Sequence, residues 1–169
     1  ISLWKYRILE RLYNLGDAEA QHGVNYILAN DIQIKIGFTL GGREATFNES
    51  TNTITLTNAY GLYSYDEIPN DFGLSLIIHE AKHLEQGTAL SHSKLGEMEA
   101  WQLQFRILSQ FRGLTAAQQD ILSAQTLDDF TTKIQEHYPS YWLENGWGLI
   151  TYPDYPQEPW WQYINPPPG

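Results

Sequence analysis

Apolar residues recur along the chain with two different periods, and the switches between them divide it into elements. Residues 3–15 place Leu3, Trp4, Ile8, Leu12 and Leu15 on or near one helical face, and Gly16 ends that helix. Asp17 caps a second helix reaching about residue 29, with Glu19 in the first turn where the dipole favours acid. Over 31–39 the period falls to two: Ile32, Ile34, Ile36 and Phe38 share one face, and Gln33, Lys35 and Gly37 the other. That is a half-buried strand. Gly41-Gly42 reads as a turn, and two short strands at about 43–48 and 53–58 flank the turn residues 49–52. The expected product is a small antiparallel sheet, with Thr53 to Thr57 as its candidate exposed edge. Either an extended peptide pairs with that edge or it is an ordinary structural hairpin. Residues 59–71 follow as a loop rich in Tyr60, Tyr63, Tyr65 and Pro69, expected to line a cleft.

Residues 72–86, FGLSLIIHEAKHLEQ, return to helical spacing, with Asn70 or Asp71 as N-cap and Gly87 as a stop. Leu74, Ile77, Ala81 and Leu84 form an apolar stripe. On the opposite side His79 and His83 stand four residues apart, so their imidazoles share a face. Two neutral imidazoles at that separation suit Zn²⁺, and Glu80 is turned aside where it can act as a general base toward water on the metal. A chain of this length meets His-Glu-x-x-His by chance roughly once in two hundred. A surface helix with two solvated histidines would carry the same pentapeptide, but here the pair lies in an apolar run, where unpaired polar groups are costly.

The next periodic stretch, 94–111, gathers Met98, Ala100, Trp101, Leu103, Phe105, Ile107, Leu108 and Phe111 on one broad face. Two polar residues interrupt that face, Glu97 and Gln104, whereas Glu99 falls with Gln102, Arg106, Ser109 and Gln110 on the other. A carboxylate on an apolar face needs a partner or a metal, which makes Glu97 the expected third ligand. The alternative is a helix-start carboxylate favoured by the macrodipole.

With these residues in hand, the sequence resembles the gluzincin branch of zincin metallopeptidases. Those enzymes pair His-Glu-x-x-His on one helix with a zinc-binding Glu on the next, here Glu97-Met98-Glu99-Ala100-Trp101. The resemblance covers about residues 72–111 and, more loosely, the strands before them. It implies an α+β zincin-like fold, one zinc per chain held by His79, His83 and Glu97, and Glu80 as catalytic base. Ala100 would be the small residue that lets the two helices approach. The implied activity is hydrolysis of peptide bonds in a peptide or protein substrate. Trp101 departs from the pattern, because many members carry there an Asp that orients the first histidine. That departure supports a second reading, a catalytically silent zincin-fold binding or regulatory domain. A metal-free buried polar network of the same residues is a third. The metzincin pattern fails at Gln86 and Ala89, and a deformylase-type site lacks its cysteine.

Thr115 to Gln118 carries a capping-box signature opening a helix to about residue 124, and Thr126 caps another ending near Tyr138-Pro139. His92, His137, Tyr138 and Tyr141 are candidate oxyanion donors, and for His92 a solvated loop position is the plainer expectation. The organisation expected is one zincin-like domain over 1–140 and an aromatic, Pro-rich arm over 141–169 packed on it. A cleft plug and a carbohydrate-stacking surface are the arm's alternatives.

Composition narrows the partners. Ten basic against twenty acidic residues leave a formal net charge of −10. That argues against nucleic acid and against anionic membrane surfaces. No apolar run approaches a membrane span. Without cysteine there is neither a disulfide framework nor a thiolate zinc site. A chain starting at Ile1, acidic and rich in Asn, Gln, Tyr and Trp, suits a processed, secreted product or an excised domain.

Overall fold

Short polar side chains set where each helix begins. In the computed structural model, which describes residues 1–39, 43–58 and 61–139, Ser2 caps α1 (Leu3–Tyr13) and Asp17 caps α2 (Ala18–Ala29). Asn70 accepts from the Gly73 N–H to open α3 (Asp71–Ser91), and Ser93 accepts from the Gly96 N–H to open α4 (Lys94–Phe111). Thr115 and Gln118 form the reciprocal capping box of α5 (Ala116–Leu122), and Thr126 caps α6 (Leu127–His137). Each cap satisfies amide donors that the first helical turn leaves without a partner. The Gly41-Gly42 turn, Tyr60 and the arm at 141–169 lie outside the described residues.

The three strands, β1 (Gln33–Gly37), β2 (Ala45–Asn48) and β3 (Thr53–Thr57), form a mixed sheet in the order β1-β3-β2. β1 runs parallel to β3 and β2 antiparallel to it. The fold is therefore α+β and mostly helical, but the sheet is not the antiparallel one expected. Nor is β3 an edge: it is the central strand. Burial explains the order. Ile54 and Leu56 are fully buried, and Thr53 and Thr57 nearly so, whereas β1 exposes Gln33 and Lys35. The strand with least to show to water takes the position flanked on both sides. A single 3-10 turn, Glu49–Thr51, with Asn52 in the left-handed region, joins β2 to β3.

Around α3 the packing divides in two. One apolar cluster joins Ile8 and Leu12 of α1, Val24 and Ile27 of α2, the sheet residues Ile34, Ile54 and Leu56, and Leu74, Ile77 and Ala81 of α3. The other joins Phe105 and Leu108 of α4 to Ile121, Phe130 and Ile134. α4 also gives Ile107 to the first cluster. The α3–α4 connection is only His92 and Ser93, and the close approach it demands falls on Gly96, where a Cβ would meet Leu90 O at 2.0 Å. Gly87 interrupts α3, as the stop expected there implies. It breaks the helix with φ 74° and ψ 170°, and helical backbone resumes to Ser91.

The aromatic loop before α3 is pinned to α1, to β1 and to the start of α3. Trp4 donates its indole N–H to Glu67 O at 2.8 Å, and the Tyr65 hydroxyl accepts from the Ile36 N–H at 2.7 Å. Tyr63 packs against Gly73, where a Cβ would sit 2.7 Å from its ring. Among the described residues no helix is long and apolar enough to cross a membrane.

Candidate metal centre

α3 is buried on nearly every side, so its polar residues must find partners inside the protein. His79 and His83 lie one turn apart on it, 6% and 2% exposed, and Glu97, 5% exposed, comes from the first turn of α4. One ligand-capable atom from each lies within 4.8 Å of the others. The two histidine Nε2 atoms are 3.0 Å apart. Glu97 Oε1 is 3.5 Å from His83 Nε2, and Glu97 Oε2 is 3.8 Å from His79 Nε2. Tetrahedral zinc with bonds of about 2.0–2.1 Å holds its donor atoms roughly 3.3 Å apart. Those separations straddle that spacing, so this donor set fits one small divalent ion.

The electrostatics differ from residue to residue. Burial, and then the neighbouring His83, push His79 down to about 3, which keeps its ring neutral and able to donate a lone pair. Burial opposes protonation of His83 as well. There the Glu97 carboxylate outweighs it and raises the pKa above the ordinary imidazole value. Glu80, 6% exposed, is raised to about 7 by burial and by the charge of Glu97, against the pull of His83 and Arg43. A carboxyl poised near neutrality can both take and return a proton.

The surroundings were less legible than the three side chains. Gln86, one turn beyond His83, faces its Nδ1 at 3.0 Å. The Gln86 amide nitrogen donates to Gly96 O and to Glu99 Oε2, both at 3.0 Å. Glu99 is thus half-buried and hydrogen-bonded, not solvent-facing as its place on the helical wheel suggests. Trp101 donates its indole N–H to Glu97 Oε2 at 3.1 Å and stands edge-on to His79 with ring centroids 6.2 Å apart. His79 Nδ1 is buried and accepts or donates no hydrogen bond among the described residues, although Gln104 lies close enough to favour the protonated ring. The signals were present: Gln86 sits at i+3 from His83 and Trp101 at i+4 from Glu97, both spacings that bring helical side chains together.

The other candidates are dispersed. Phe47 of β2 stacks between His83, at 5.1 Å, and His92, at 5.8 Å. His92 is exposed, and its Nδ1 lies 2.8 Å from Thr88 O. His137 is engaged by Asp120 at 2.8 Å. Tyr138 packs on Trp101 with centroids 5.5 Å apart, its phenol raised in pKa by burial and then by Glu44. Tyr141 lies outside the described residues. β2, not β3, is the sheet edge beside the cluster. Comparison with protein-family models, with curated proteins and with solved structures finds no match to this chain.

Proposed function

We propose that this chain is a zinc-dependent metallopeptidase of gluzincin type, hydrolysing peptide bonds with Glu80 as general base. One observation carries the reading: His79, His83 and Glu97 converge within 4.8 Å in a buried setting, with a carboxyl raised to about 7 beside them. Zinc held there would polarise the scissile carbonyl and lower the pKa of a bound water to about 7. Glu80 takes the proton of the attacking water and returns it to the departing amine, and the charge of the ion would lower its pKa from the metal-free value of about 7 toward the carboxylate form a base needs. Trp101 and Gln86 hold Glu97 and His83 in place meanwhile. The edge of β2, with Phe47 against His83, is where an extended substrate backbone would add.

A silent binding domain of the same fold is the second reading, and Trp101, which bonds Glu97 and stands only edge-on to His79, favours it, since outer partners tune ligand histidines. Zinc analysis together with a cleavage assay separates the two. About one zinc per chain, lost in Glu97→Ala and kept by Glu99→Ala at excess zinc, establishes the metal centre. Cleavage of an unfolded protein by wild type and not by Glu80→Gln then establishes the peptidase. Zinc without cleavage leaves the binding domain, and no zinc in wild type removes both.

A further inference from the structure

The Gln86 amide can be oriented in only one way. Its neighbours on one side are a backbone carbonyl, Gly96 O, and a carboxylate oxygen of Glu99, and both are acceptors. The amide NH₂ must face them, so the amide oxygen faces His83 Nδ1 at 3.0 Å, and that nitrogen must carry the hydrogen. His83 is thereby held as the Nδ1–H tautomer with the lone pair on Nε2, the atom that meets His79 and Glu97. We propose that Gln86, locked by Glu99 and the Gly96 carbonyl, is the positioning residue that fixes the tautomer and ring orientation of His83 for the metal. The proposal rests on the metal-centre reading above.

The helix pair is built to admit this amide. Gln86 is 7% exposed, and the residue facing it on α4 is Gly96, whose absent Cβ would lie 3.1 Å from Gln86 Oε1. The space that an α4 side chain would occupy is filled instead from α3. The two histidines are therefore unequal. His83 has a fixed outer partner reached through two hydrogen bonds from α4, whereas His79 Nδ1 has none among the described residues.

The test compares wild type, Gln86→Met, Glu99→Gln and Glu99→Ala, with metal-free melting temperature as the folding control. Zinc affinity is measured by competition with a chromophoric chelator, and ligand geometry by the visible absorption of the Co²⁺-substituted protein. Losing an outer-shell partner of a ligand histidine weakens metal binding by about 10–100-fold. Gln86→Met, similar in length but without donor or acceptor, should lose that much and shift the Co²⁺ bands. Glu99→Gln, which still offers the amide an oxygen, should stay close to wild type, and Glu99→Ala should fall between. In metal-free protein at alkaline pH, two-bond ¹H–¹⁵N correlations should show His83 as the Nδ1–H tautomer in wild type and a mixture in Gln86→Met. If wild type binds zinc and Gln86→Met matches it in affinity and Co²⁺ spectrum, the positioning role is overturned while the metal centre stands. If wild type takes up no zinc, the metal reading falls and takes this role with it. Should Gln86→Met fail to fold, the wild-type correlations decide alone: His83 as the Nε2–H tautomer or as a mixture overturns the proposal.

Discussion

Trp101 and Glu97, one turn apart on α4, are joined by an indole N–H donated to the carboxylate at 3.1 Å. The pairing puts a neutral donor against an acid buried to 5% exposure. Hydrogen bonds to a charged partner contribute more than neutral ones, about 1.5–3 kcal/mol. Trp101 also packs edge-on against Phe105, at 5.4 Å, so its ring has a structural share apart from the N–H. Trp101→Phe keeps most of the ring and removes the donor. The expected result is a zinc affinity weaker by about tenfold with little change in far-UV circular dichroism. Affinity equal to wild type would show that Glu97 needs no help from the indole.

Glu80 gives a stability prediction with a definite sign. In the metal-free fold its pKa is about 7 against an ordinary carboxyl value of 4.5. Below the unfolded value both states hold the proton, and the group makes no difference. Between the two values the unfolded chain releases its proton and the folded chain keeps it, so stability falls as pH rises and stays reduced above about 7. Glu80→Gln removes that penalty. Its metal-free melting temperature should exceed wild type at pH 8, by as much as about 3 kcal/mol in stability, and the difference should vanish near pH 4. A pH-independent difference would mean that Glu80 is not titrating from a buried site.

Gly96→Ala sets two effects against each other. In a helix interior the change is ordinarily favourable by about 1 kcal/mol. Here the new Cβ would meet Leu90 O at 2.0 Å, backbone against side chain, with no flexible group to give way. Overpacking of that kind costs about 1–3 kcal/mol or more, so the steric term wins. Thermal unfolding should come earlier, by up to roughly 8 °C. Glu97 follows Gly96, so zinc affinity should fall as well. A variant that melts later than wild type would show that α3 and α4 part without strain.

The helix starts were legible because a cap is a local event: Asp17, Thr115 and Thr126 each satisfy an amide two or three residues away. The convergence of His79 and His83 was legible for the same reason, and Glu97 because a carboxylate on an apolar face draws notice. Strand order was not. Pairing is decided by which strand can be covered on both sides, and β3 disguised its burial behind Thr53, Thr55 and Thr57, which read as an exposed alternation. Gly87 was read as a stop, and a positive φ does interrupt the helix there. Beyond it helical backbone resumes to Ser91, with Leu90 buried to 4%. Ala100 is fully buried as expected of a residue between helices, yet the tightest approach falls one turn earlier, on Gly96.

The division of the interior into two apolar clusters has a mechanical consequence. His79 and His83 ride on the helix that anchors the first cluster, and Glu97 on the helix that carries Phe105 and Leu108 of the second. α4 reaches both clusters, through Ile107 in the first and Phe105 in the second. An ion gripping all three residues would therefore add a polar tie where the two apolar clusters already share a helix, and its grip would report on how α3 and α4 are aligned.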